Sequence, residues 1–207
     1  NGYQIFECKV DPKKNGKFLK FFILWREYRK IRHFRFEYVI VAFPGHTVVW
    51  LARLLFGKNI IFDAFVSLYN SEIEDRRLHG YLSLMAFYYW FLDWSSCFLS
   101  ARILLDTREH VHYFQNRFKI SGNKFVSLFV STTPETFFPI PTLADKSRQK
   151  FLIHFHGTFI PLQGIEHIIT AAKLLESETQ IEFRIIGIGQ EYQKIMSEVS
   201  LSSFEQR

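Results

Sequence analysis

The residues best suited to chemistry lie between Gly157 and Gly189. Gly157, Thr158, Gln163, Gly164, Gly187 and Gly189 form two short glycine-bearing segments. Glycine lets a backbone approach a phosphate closely, and a helix that starts behind it offers unpaired N–H groups. Thr158 and Gln163 can add hydrogen bonds but no charge. Gly187-Ile188-Gly189 is not a dinucleotide fingerprint, because Tyr192 stands at the third glycine position. Metal chemistry is not signalled. His110/His112 and His154/His156 are spaced i, i+2, there is no Asp-x-Asp, and Cys8 and Cys97 match no metal or redox spacing. The i, i+2 spacing is one face of a strand and not a helix pair, and His154 and His156, on or beside a strand end, read as β-face packing with an exposed tip.

Two strands and a helix must position the glycines. Phe151 to Phe155 is a short apolar run that Gly157 breaks. Ile165, Ile168, Ile169 and Ala172 follow at i, i+3, i+4 and i+7, one face of a helix. Ile181 to Ile186 is a second strand, closed by Gly187 and Gly189. Parallel strands joined by a helix bring both glycine segments to one sheet edge, where ligands bind in open α/β folds.

Upstream, strands and helices alternate, which predicts a parallel sheet. Tyr3–Val10, Tyr38–Phe43, Asn59–Phe62, Arg102–Leu105 and Phe125–Val130 read as strands. Residues to about Arg32, Thr47–Leu55 and Leu82–Leu99 read as helices, and Asp106 or Thr107 caps another. The uncharged run from Tyr81 to Leu92 ends at Asp93, so a buried helix fits better than a membrane span. Asp93 should meet a polar partner inside the protein.

In order, these pieces resemble a family 4-type glycosyltransferase of the GT-B fold. The resemblance rests on Gly157, Gly164, Ile168, Ala171, Leu175, Ile186, Gly187 and Gly189. Upstream it rests on the runs Val39–His46, Ile60–Ser71 and Ile103–Phe114. It implies an α/β protein of two Rossmann-like domains with parallel sheets, both truncated. Residues 1–147 would be the acceptor-side domain, lacking its first strand, and 148–207 the start of the nucleotide-sugar domain. The boundary falls in the passage punctuated by Pro134, Pro139 and Pro141. The chain has no initiator Met and stops at Arg207 where a helix or loop should continue, so it reads as an internal fragment.

The implied activity is metal-independent sugar transfer with retention, from a UDP- or GDP-sugar to a carbohydrate or lipid-linked acceptor, with no cofactor. This chain alone would be inactive, because the family's paired glutamates lie further downstream. Gly157, Thr158, Gln163, Gly164, Gly187 and Gly189 would bind the donor. The family often has Arg and Lys where Thr158 and Gln163 stand. Asp63 would be the catalytic and acceptor-side residue, at the carboxy end of its strand where relatives have His. His46 would be its acceptor-side companion. Asp63 could instead cap a helix or pair with Arg76. A rival reading is a non-catalytic nucleotide- or sugar-binding module.

Composition adds a partner. Of the 207 residues 48% are hydrophobic and 18% aromatic, which supports a packed core and excludes a disordered chain. Residues 13–35 hold nine basic residues and one acid, set among aromatics. Phe18, Phe21, Phe22, Trp25 and Tyr28 keep to one helical face. Such a helix suits an anionic membrane surface. Alternatively it packs its aromatic face on the sheet and shows its lysines to solvent. A basic adaptor is therefore another reading. No nucleic-acid partner is expected. The expected location is cytoplasmic, peripheral on the inner face of the membrane.

Overall fold

A computed structural model describes residues 2, 4–11, 16, 18–138 and 150–200. The proposed boundary at 147/148, Pro139, Pro141 and the lysines at 13, 14 and 17 lie outside the described residues. The chain divides into two compact units: Asn1–Asn70 with Leu82–Val130, and Ser71–Tyr81 with Ser131–Arg207.

The first unit is a parallel sheet with helices. Its strands are β1 (Val39–Val41), β2 (Ile60–Phe65), β3 (Arg102–Leu105) and β4 (Phe125–Ser127), side by side in chain order. Its helices are α1 (Leu19–Ile31), α2 (Val49–Phe56), α3 (Leu84–Leu99) and α4 (Arg108–Phe118). β-Branched and aromatic residues favour the strands, and alternation sets their faces. Ile60, Phe62, Ala64, Ile103 and Leu105 are buried on one face. The other face carries Ile40, Ile61, Asp63, Leu104 and Val126, all partly or largely exposed. Thr107 caps α4 by accepting from the His110 N–H at 3.1 Å, and Lys119 ends it in the left-handed region.

Residues 4–11 form neither helix nor strand, against the strand expected over Tyr3–Val10. Phe6 packs against Phe34 and Phe36, and among the described residues no strand pairs with this segment to take up its backbone groups.

The aromatic face of α1 is split. Tyr28 packs edge-on against Phe56, and Lys20 donates to the Thr47 hydroxyl at 2.7 Å. Phe18, Phe22 and Trp25 face outward, and α1 buries no residue. The helix therefore shows aromatics to solvent, not lysines alone.

The second unit contains β5 (Phe151–Thr158) and β6 (Ile181–Ile188), with α5 (Ile165–Leu174) and α6 (Tyr192–Ser200). β5 and β6 are parallel and in register over all eight residues, so Gly157 sits opposite Gly187. Gly157 does not break its strand, which runs on through Thr158, and Gly187 is likewise inside β6. Phe159, Ile165, Ile169 and Ile195 form the core, with Phe155 and Ile185 packed on it. No helix among the described residues is long and apolar enough to cross a membrane.

Candidate functional site

In the first unit the carboxy edge of the sheet is organised by one buried carboxylate. Asp93 on α3 accepts from the Ser67 hydroxyl at 2.7 Å, the Tyr69 N–H at 2.9 Å and the Leu68 N–H at 3.1 Å. Ser67 Oγ also accepts from the Asn70 N–H at 3.0 Å. The turn after β2 is thus wrapped around Asp93. Ser96, one turn along α3, donates to the His46 carbonyl at 2.9 Å and fixes the turn after β1. The polar partner expected for Asp93 is therefore present.

His46 is itself in the core, 1% exposed. Its Nε2 lies 3.3 Å from Asp93 Oδ1, without the alignment of a hydrogen bond; neither ring nitrogen makes a well-aligned hydrogen bond to a described residue, and the nearby Val66 backbone favours the charged ring only weakly against burial. Burial pushes His46 down to about 4 and Asp93 up to about 6; the donors around Asp93 pull it back only in part. Near neutrality His46 is uncharged and Asp93 ionised. His46 packs edge-on against Phe62 and cannot meet a dissolved acceptor from this position. The side chain expected on the acceptor side is thus placed in the interior of the first unit.

Asp63 is the fourth of six residues in β2, not a residue beyond its end. It stands on the face opposite Phe62 and Ala64, half-exposed beside Leu104, its register partner. It makes no ion pair with any described residue of its own unit, and Arg76, the partner considered for it, belongs to the other unit. The edge position belongs to Phe65, where the register with β3 shifts and the backbone turns to φ 58°. A bulky residue in the left-handed region is strained. Its ring packs against Phe43 at the end of the β1 turn, with centroids 5.3 Å apart.

In the second unit, the glycines gather at the carboxy edge of β5 and β6. Gly164 has φ 61°, which ends the short 3₁₀ turn Pro161–Gln163 and opens α5. The Ile165 and Glu166 N–H groups begin α5 and carry its positive end. Glu166 pairs with Lys194 and joins α5 to α6; the lysine holds its carboxyl below the usual range. Gly187 and Gly189 are needed by the packing itself. A Cβ on Gly187 would overlap the Gly157 carbonyl and the Phe159 ring; one on Gly189 would lie 2.6 Å from the Phe159 carbonyl oxygen. Phe159 is held there by its N–H to the Ile188 carbonyl and by its own carbonyl, which accepts from the Glu191 N–H, each at 2.9 Å. Thr158 and Gln163 are exposed at this edge.

Two features of these edges have weak sequence signals. Phe159 is one aromatic among many. Asp106 and His110 form a side-chain pair at the start of α4, legible only as an i, i+4 spacing at a helix cap. Among the described residues no cluster of His, Cys, Asp or Glu could hold a metal ion. The chain matches no protein-family model and no curated protein.

Proposed function

We propose that this chain is part of a sugar transferase of the GT-B type, whose second unit takes the diphosphate of a UDP- or GDP-sugar. The observation that carries the reading is the shared edge in that unit. Gly157 and Gly187 face each other one residue before the carboxy ends of a parallel pair in register, and Gly164 turns the chain into α5. Parallel α/β sheets bind ligands beyond their carboxy ends. The opening of α5 supplies roughly half a positive charge to offset the leaving diphosphate. Thr158 and Gln163 would add neutral donors. A sugar transferred with retention would meet its acceptor at the first unit, where Asp63 is the half-exposed carboxylate able to accept from sugar hydroxyls.

The rival, a binding module without transfer, is favoured by the neutral Thr158 and Gln163. Calorimetry with UDP and GDP tests the shared premise. Binding that tightens in Gln163→Lys and weakens in Thr158→Ala supports the edge as the diphosphate site. No heat of binding, or binding indifferent to both substitutions, overturns it. Gly164→Val is a poor probe, because valine at φ 61° breaks the turn whether or not a ligand binds there. Release of sugar from the nucleotide, or its transfer, then separates the enzyme from the module.

A further inference from the structure

Helix α3 is built inside out. Apart from Leu92, its buried residues are small or polar (Ala86, Asp93, Ser95, Ser96 and Cys97), while its exposed side is largely aromatic. Leu84 is 88% exposed and Phe87 65%. Phe87 and Phe91 stack, and Phe91 stacks on Trp50 of α2, so the apolar surface continues across two helices. Trp50 turns its indole N–H inward to Ser95 Oγ at 3.1 Å and leaves its ring half-exposed. On α1, Phe18 is 87% and Phe22 58% exposed. A water-soluble face of this size is costly, and a patch this apolar marks an interaction surface.

Charge selects the partner. Helices α1, α2 and α3 contain five basic residues, Lys20, Arg26, Arg29, Lys30 and Arg53. Their only acids are Glu27, paired with Lys30 at 2.7 Å, and Asp93, which is buried. The outer side of the three helices thus offers aromatics and cations with no unpaired carboxylate. Residues 13–35 carry nine basic residues and one acid, while the rest of the chain has 17 basic and 19 acidic. Aromatics that enter an interface beside cations that stay with the headgroups are the features of a monotopic membrane surface. A nucleic acid fits less well. The Phe22 and Trp25 rings lean on each other at 5.8 Å, and Arg29 covers Trp25, which leaves no open slot for a base.

We propose that the outward faces of α1, α2 and α3 dock this protein on an anionic lipid bilayer. The proposal is independent of the transferase reading, and its readouts need no turnover.

The test is sedimentation of the full chain with vesicles of phosphatidylcholine alone, or with about one-third phosphatidylglycerol, at low and near-molar salt. Wild type should pellet with the anionic vesicles at low salt, and high salt should release most of it. Each surface cation is worth roughly fivefold in partitioning, so Arg26→Glu with Arg29→Glu should weaken it more than tenfold. Phe87→Ser with Phe91→Ser, and Phe22→Ser with Trp25→Ser, should each weaken it about tenfold or more at unchanged circular dichroism. In the wild type, brominated acyl chains should quench tryptophan emission. Several results overturn the proposal: no pelleting, equal pelleting with neutral vesicles, or aromatic variants that bind as wild type does. It also fails if the aromatic face instead holds a second copy in solution, or a single-stranded oligonucleotide in preference to vesicles.

Discussion

Asp93 shows how one residue fixes an edge. It satisfies one hydroxyl and two backbone N–H groups, each of which would cost about 1–3 kcal/mol if left buried and unpaired. Asp93→Ala should therefore destabilise the first unit by about 3 kcal/mol or more, read as a lower urea midpoint. Its neighbour gives a signed pH dependence. His46 falls from 6.5 to about 4 on folding, so its contribution to stability is full above 6.5 and is lost as pH falls through about 4. Asp93 rises from 3.8 to about 6, so its contribution is full below 3.8 and is lost as pH rises through about 6. The two slopes oppose each other over almost the same window. In wild type they should largely cancel between about 4 and about 6. Removing the Asp93 slope in Asp93→Asn should make stability rise with pH there, and His46→Gln should make it fall. Urea midpoints at the two ends of the window check both signs; parallel slopes in all three proteins would contradict the assignment.

At the scale of elements, the glycines of β6 are decided by a neighbour. The Phe159 main chain lies where a side chain at Gly189 would go, and its ring where one at Gly187 would go. Gly187→Ala and Gly189→Ala should each cost about 1–3 kcal/mol without any ligand, seen as a lower thermal midpoint. Glycines kept only to let a phosphate approach would leave the ligand-free midpoint unchanged. The cap of α4 gives a simpler case. Thr107→Ala removes the acceptor for the His110 N–H and should cost about 1 kcal/mol.

At the scale of the molecule, each unit has its own core. Phe62, Ile103 and Phe114 are fully buried in the first; Phe159, Ile165, Ile169 and Ile195 make the second. Ile169→Ala should cost about 2–5 kcal/mol in the second unit. Hydrogen exchange should then quicken in β5 and β6 while β2 and β3 keep their protection. Equal loss in both sheets would mean that the two cores fold as one.

The sequence by itself determined the order of elements. Alternating apolar strands and 3.6-residue helices specify parallel α/β units, because those periods follow from backbone geometry alone. It gave strand Arg102–Leu105 to the residue, the Thr107 cap, the parallel pairing of β5 with β6, and the need of Asp93 for an internal partner. Those features rest on local spacing. Only tertiary structure decided which face each element shows. The same aromatic spacing on α1 permits an inward or an outward face, and contacts with Phe56 and Thr47 selected one. Polar residues on α3 turned inward because loops from β1 and β2 supply their partners, which drove its phenylalanines outward. Asp63 and His46 have similar settings in sequence, each just beyond an apolar run. Pairing with β3 extended the strand past Asp63, so alternation put it on the partly exposed sheet face, and the approach of α3 put His46 in the core. Distances between segments far apart in the chain set such outcomes, and no local pattern encodes them.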